Sequence, residues 1–527
     1  MYVTPQTKLK VYRNIPWNND YKHTLWFANA TAQATFFASK VAYSFVNFTY
    51  VRQTGVIRVP MLADNLYNCN YISFQNESYG NKVFYAFITK VEYVNNETSH
   101  IYFEIDHIQS WLFDFTLEQC FVEREHVSDD TVGLHTVDEG LEVGEYLIDK
   151  QETLTHDNYG LMFISADNYQ PQTPADVRYS GNLPQLVDIV GVKSSSIASF
   201  IGDILQYYFS RPEAVGSLKV IPDEMCESVY GKVQTFTDSK TIRRDSNITF
   251  RNACGEDTYT PKNNKLKCFP YCVITLDNFC GDVMQFRWEE FPDPTFATFL
   301  EKGTPAPIPV IECYPAKYKK NYLDFSASTK QFVMKFNNFP ELAFPSDTFK
   351  MWATSQFKKS LVSEGASVVT RVVGGGLAGG AAGGVGGAIA GAGTGLLQSV
   401  ASIYGLKTDY EYHKLHGYSL TGEAGDAGTN YNDHEVGFRL TSYQIKAEYA
   451  KLIDNYLTRF GYKVNSLKQP NVTSRRYFNY LKTVDASIRG NVPNEAQKLI
   501  CNAFDNGITL WHTDDIGNYN VNNAIVG

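Results

Sequence analysis

Nine cysteines, ten histidines and local clusters of acids give this 527-residue chain the raw material for metal binding or hydrolysis, so their spacing decides what they could do. Cys268, Cys272 and Cys280 lie close together, but no paired Cys-x2-Cys and no nearby histidine completes the four ligands of a structural zinc. They read as free thiols in a strand region. His413 and His416 share a tight spacing and lack a third ligand. No His-Glu-x-x-His, phosphate-binding loop or Gly-x-Ser-x-Gly is present. Two carboxylates can be brought together from anywhere in a β-rich fold, so a glycoside hydrolase remains a minor alternative. The expectation is a protein without catalytic site, metal or cofactor. Glu123, Glu125, Asp129 and Asp130 are the densest local acids, and a solvated or interface salt-bridge cluster with Arg124 is the favoured account of them.

A different spacing carries more. From Val372 to Leu406 the chain runs for 35 residues without a charged side chain, between Arg371 and Lys407. That exceeds the ~20 apolar residues that cross a bilayer once as a helix. Of the 22 residues from 374 to 395, 12 are glycine, and glycine costs about 1 kcal/mol relative to alanine inside a helix, so an isolated helix in water is unfavourable. Gly375, Gly379, Gly383, Gly387, Gly391 and Gly395 recur every four residues and on a helix would form one smooth ridge. Small-xxx-small ridges allow close backbone approach and drive helix association in lipid. The spacing therefore points to conditional, membrane-dependent self-association, set against the plainer reading of a flexible glycine-rich loop. Val372, Val373, Leu377, Val385, Ile389, Leu396, Leu397, Val400, Ile403 and Leu406 would supply the lipid contacts. Lys358, Lys359, Arg371 and Lys407 would stay at the headgroups. In lipid the backbone must satisfy itself, as a helix or within a closed barrel, and 35 residues allow either one span or a hairpin. His413, His416 and His434 flank this stretch and could sense pH, though exposed histidines near a loop are commonly bystanders.

The elements around that segment read as mainly β with some α. Aromatic residues make up 14% of the chain, which suits pleated, half-buried surfaces. Val83, Tyr85, Phe87, Thr89, Val91 and Tyr93 alternate along one predicted strand, Asn95 to Ser99 supplies turn chemistry, and Ile101, Phe103 and Ile105 resume the alternation, predicting a hairpin. Further strand-like runs lie at 41–50, 55–59, 161–164, 271–276 and 332–336. Helices are predicted at 195–209, through Tyr449, Leu452, Ile453, Tyr456, Leu457 and Phe460 with Gly461 ending it, and from Pro493 through Ala496, Leu499, Ile500, Ala503 and Phe504 to Gly507. Composition divides the chain into an N-terminal β-rich domain (1–150), a second β-rich domain (151–349), a glycine-rich hydrophobic insertion (350–430) and a C-terminal segment with two helices (431–527). A net charge of −9 lacks the basic signature of a nucleic-acid binder. The start of the sequence has no apolar signal core and the cysteines form no disulfide framework, so synthesis in a reducing cytoplasm is expected.

Four motifs then carry a resemblance: the opening VYRNIPWNNDYKHTLWF, the block FVEREHVSDDTVGLHTVDEGLEVGE from Phe121 to Glu145, the stretch AEYAKLIDNYLTRFGYKVN, and the closing RRYFNYLKT, IRGNVP and FDNGITLWH. Together they resemble the tail knob, or distal tube, proteins of short-tailed phages of the phi29 type. The resemblance implies a virion protein at the tail tip, made in the host cytoplasm. It implies a homohexameric tube of β-rich domains with the N- and C-terminal portions of each chain in one wall. It also places the uncharged insertion where that family carries a long hydrophobic loop, which plugs the tube and later leaves it to form a channel through the host cytoplasmic membrane. Partners so implied are the proximal tail tube, that membrane, and passing genomic DNA without sequence-specific binding. Acidic copies lining a bore would let DNA slide. The alternatives are a tail-tip wall hydrolase, a receptor-binding adhesin with no membrane step, and a fusion or pore-forming protein of another origin.

Overall fold

The computed structural model describes residues 6–165, 188–200, 215–319, 332–345, 420–421 and 436–526, apart from short gaps at 49, 52–54, 78–79, 228–229, 307, 340 and 343. These residues are mainly β, and they fall into two compact units that each draw on distant parts of the chain. The first unit comprises 1–144, 249–266 and 447–527, and the second 145–248 and 267–446.

In the first unit a seven-stranded antiparallel sheet runs in the order Val41–Phe48, Thr7–Arg13, Cys69–Gln75, Phe84–Asn95, Thr98–Ile105, Val56–Val59, Tyr50–Val51. It is buried on both faces. Leu9, Val11, Ile72, Phe74, Ala86 and Ile101 fill one side. Tyr12, Tyr71, Tyr85 and Phe87 join Trp17 and Phe37 on the other, where Phe37 of the helix Ala30–Ser39 stacks on Tyr85 with ring centroids 4.2 Å apart. Aromatic pairs in such geometry add about 0.5–1.5 kcal/mol beyond the area they bury.

The predicted hairpin is present as Phe84–Asn95 and Thr98–Ile105, but its faces differ from the simple alternation. Ile88 pairs with Phe103 and Lys90 with Tyr102, leaving Thr89 as an extra residue. Such a bulge shifts the period by one. Val91 consequently packs with Ala86 and Ile88, on the opposite side from Tyr85 and Phe87, and Tyr93 is exposed.

A five-stranded sheet gathers both ends of the chain: His23–Leu25, Ile508–Trp511, Phe478–Val484, Cys120–Glu125 and Tyr462–Lys468. The helices Ala447–Phe460 and Asn494–Asn506 arise at the predicted positions. Gly461, at φ 63°, ends the first, and a Cβ there would sit 2.1 Å from the Glu125 carbonyl oxygen, so only glycine fits. The buried stripe of that helix is Ala447, Ala450, Ile453, Asp454 and Leu457, whereas Leu452 is 68% exposed. A carboxylate holds a place in the stripe because it has four donors, described below. Leu499 likewise faces outward while Ala496, Ile500, Ala503 and Phe504 are buried.

The second unit contains three larger sheets. Tyr146–Thr155, Gly437–Ile445, Cys272–Asp277 and Val283–Arg287 form one. Tyr230–Gly231, Asp188–Val192, Tyr159–Ser165, Val215–Pro222 and Glu341–Leu342 form the next. The last consists of Phe236–Arg243, Phe296–Thr304, Val310–Pro315 and Met334–Phe336. Of the helix expected over 195–209, the described part is a short turn at Ser194–Ser196 running into Ile197–Phe200; the rest lies outside the described residues.

Candidate functional site: the neck of the uncharged segment

The site residues singled out in the sequence lie outside the described residues. This applies to the uncharged stretch 372–406, the ridge from Gly375 to Gly395, the flanks Lys358, Lys359, Arg371 and Lys407, and His413, His416 and His434. What the structure describes is the frame from which that stretch departs. Glu341–Leu342 is the edge strand of the five-stranded sheet in the second unit, pairing with Lys219 and Leu218. Immediately after it, Phe344 and Pro345 pair with Thr421 and Leu420 in a two-stranded ladder. Residues 346–419 thus leave and return through one neck. Proline suits this position, since an edge strand can spare a donor.

Beyond the neck the chain enters Gly437–Ile445, an inner strand between Tyr146–Thr155 and Cys272–Asp277. Gly437, at φ 136°, begins it, and a Cβ there would lie 2.0 Å from the Leu154 carbonyl oxygen. The return path therefore requires glycine at this crossing. Along the strand Arg439 donates to Asp277 at 2.6 Å, tying it to its neighbour.

Elsewhere in the second unit the sheets meet around His156, a residue that sequence reasoning missed. His156 links Tyr146–Thr155, in the four-stranded sheet, to Tyr159–Ser165, in the sheet that carries the neck. Its Nδ1 is 3.2 Å from Glu224, and its Nε2 is 3.4 Å from Glu301 on Phe296–Thr304 of the third sheet. Burial works against the cation, but the flanking Glu224 and Glu301 carboxylates outweigh it and raise His156 to about 9. Burial opposes ionisation of Glu224 too, yet the His156 cation holds it below the ordinary carboxylate value, while Glu301, almost wholly inside, is raised by burial. A positive charge thus joins three sheets at one point. Nothing at positions 156, 224 and 301, spread along the sequence, announced this.

The acidic block sits in the first unit as internal bracing. Arg124 donates to Glu139, which also receives Lys265, and the backbone N–H of Lys463 reaches the same carboxylate at 2.9 Å. Glu125 is fully buried and paired with Lys468, and Glu123 is 2.7 Å from Lys482. Asp130 accepts the Tyr462 hydroxyl at 2.6 Å and the Asn264 N–H at 3.0 Å, while Asp129 accepts from Thr131. The solvated or interface cluster with Arg124 expected from the sequence is not what forms: Arg124 and Glu125 are buried, and Glu139 rather than any of the adjacent acids is the partner of Arg124. Asp454 works similarly, accepting from Tyr259 Oη at 2.5 Å, the Lys262 N–H at 2.8 Å, and the Asn263 N–H and Nδ2 at 3.1 and 2.8 Å. Charge-assisted bonds of this kind are about twice as strong as neutral ones.

Comparison with known proteins decides the lineage. The family model for the C-terminal domain of the tail knob protein gp9 of Bacillus phage phi29 matches residues 232–524, more than half of the chain. The chain belongs to that tail knob family. A second model, the N-terminus of caudoviral major tail proteins, matches residues 5–116. Tail knob protein gp9 of Bacillus phage PZA and that of phage phi29 are each 26% identical, over 98% of this chain and 98% of theirs. The gp9 of Bacillus phage B103 is 27% identical with the same coverage. Among solved structures, the tail knob protein gp12 of bacteriophage C1 matches with a TM-score of 0.60 at 15% identity, covering 99% of this chain and 100% of that one. The protein is a structural component of the virion, located at the tail. Among the described residues no helix is long and apolar enough to cross a membrane.

Proposed function

We propose that six copies of this chain form the distal tube of a short-tailed phage and deliver its genome through the host cytoplasmic membrane. The observation that carries this reading is the uncharged, glycine-ridged stretch 372–406 set within an excursion that leaves and returns through one two-stranded neck. Before infection the six excursions plug the tube. On release they enter the membrane, where Gly375, Gly379, Gly383, Gly387, Gly391 and Gly395 pack helix against helix. Val372, Val373, Leu377, Val385, Ile389, Leu396, Leu397, Val400, Ile403 and Leu406 face lipid, with Lys358, Lys359, Arg371 and Lys407 at the headgroups. The tube docks on the proximal tail tube and passes DNA without reading its sequence. The chain acts as a conduit and has no enzymatic role. Sequestering membrane-active sequence inside a ring lets a chain made in the cytoplasm stay soluble until it is needed.

Virions carrying a deletion of 374–395 test this. They should assemble, adsorb and fail to depolarise the host membrane or deliver DNA. Normal infection by the deleted virions would sink the proposal in favour of an adhesin, and degradation of purified peptidoglycan by the isolated protein would favour a wall hydrolase.

A further inference from the structure

A polar cavity of about 290 Å³ in the first unit stands apart from everything above. It lies among His126, Lys262, Asn263, Thr458, Arg475 and the segment 520–524, and none of its lining residues is acidic. Although the chain carries a net charge of −9, the charged side chains of this recess are Lys262 and Arg475. We propose that this cavity binds a phosphate group, as a free phosphate ester or as part of a lipid headgroup.

The nearby groups leave the positive charge available. His126 is neutral: burial, then the Arg475 cation, depress it to about 3, and its ring is spoken for, with Nδ1 accepting the Tyr480 N–H at 2.6 Å and Nε2 donating to the Thr458 carbonyl at 3.0 Å. Asp454 spends its charge on the Tyr259, Lys262 and Asn263 donors already described. Burial lowers Arg475 from its ordinary value while Tyr462 and Asp130, outside the lining, act against that shift, and Asp130 itself accepts from Tyr462 and Asn264. The Arg475 guanidinium keeps Nε buried with no hydrogen-bond partner, and its Nη1 contact to the Asn523 carbonyl is long, at 3.4 Å. A buried, unmet guanidinium N–H is costly, and a planar fork of donors matches phosphate geometry.

The wall at Asn523 is pre-organised. Asn523 accepts from the Tyr477 and Phe478 N–H groups at 2.9 and 3.2 Å and donates to the Phe478 carbonyl at 2.8 Å, while the Val526 N–H reaches Ser474 at 2.9 Å. A volume near the lower end of small-molecule sites fits a group the size of glycerol phosphate and excludes a folded polymer.

Calorimetric titration of the full-length protein at low salt tests the proposal, with inorganic phosphate, glycerol 3-phosphate and glycerol as the uncharged control. Flotation with phosphatidylglycerol or phosphatidylcholine vesicles forms the lipid arm. The expected result is saturable binding of at least one phosphate-bearing probe and none of glycerol, weakened about tenfold or more by Arg475→Gln and several-fold by Lys262→Gln. Binding of the soluble esters assigns the site to free phosphate, and capture by phosphatidylglycerol vesicles alone assigns it to a headgroup. Lys262 is exposed, so Lys262→Gln should keep the wild-type unfolding midpoint and remains decisive if Arg475→Gln folds poorly. Absence of saturable binding in both arms, or undiminished affinity in Lys262→Gln and a folded Arg475→Gln, overturns the assignment.

Discussion

Glu139 in the first unit collects an arginine, a lysine and a backbone N–H from three separate parts of the chain, whereas residues 372–406 contain no charged group that could make such a contact. The two regions use opposite means of specifying structure. A buried charge satisfied from several sides tolerates one arrangement, because any other strands it without partners. An uncharged run rich in glycine takes its conformation from its surroundings, since its backbone groups can be met by water or must be met internally in lipid. The proposed function, a rigid frame with one segment that changes medium, needs both.

The largest effect should come from breaking the charged side of this contrast. Glu139→Gln leaves Arg124 and Lys265 buried beside a neutral amide, and urea unfolding should show a loss of about 3–5 kcal/mol. Placing a charge on the uncharged side reverses the logic. Gly387→Asp should leave the urea midpoint of the wild type in place, yet add about 2.5–3.5 kcal/mol per copy to helix insertion and abolish membrane permeabilisation.

The joint at His156 gives an intermediate effect that depends on pH. Held at about 9 against an ordinary 6.5, His156 contributes stability that is complete below about pH 6.5 and lost as pH rises through about 9. Wild-type stability should therefore fall by on the order of 1–3 kcal/mol between pH 7 and 9.5, a slope that His156→Gln should flatten. Mild acidification leaves His156 and its Glu224 partner charged. The smallest effect belongs to Leu452, exposed on a helix whose other apolar residues anchor it: Leu452→Ala should shift the urea midpoint by no more than ~0.5 kcal/mol.

Local periodicity made much of the fold legible. The hairpin Phe84–Ile105 and the helices Ala447–Phe460 and Asn494–Asn506 follow from alternation, stripe and glycine stop. What alternation could not show was the extra residue at Thr89, because a bulge is set by cross-strand pairing. Nor could a hydrophobic stripe show that Asp454 belongs in it and Leu452 does not, since that depends on donors from 259–263, far away in the chain. The same distance hid the neck: Phe344–Pro345 and Leu420–Thr421 are two-residue strands with no signal of their own. Composition alone revealed the segment they enclose.

The most direct test of the account is dye release from liposomes by the purified full-length protein and by the 374–395 deletion, at neutral and mildly acidic pH, with oligomer mass measured alongside. The account predicts release by an intact hexamer and loss of release by an equally hexameric deletion. A stable hexamer that releases no dye under any condition, or a deletion that releases it as well as the full chain, would contradict it.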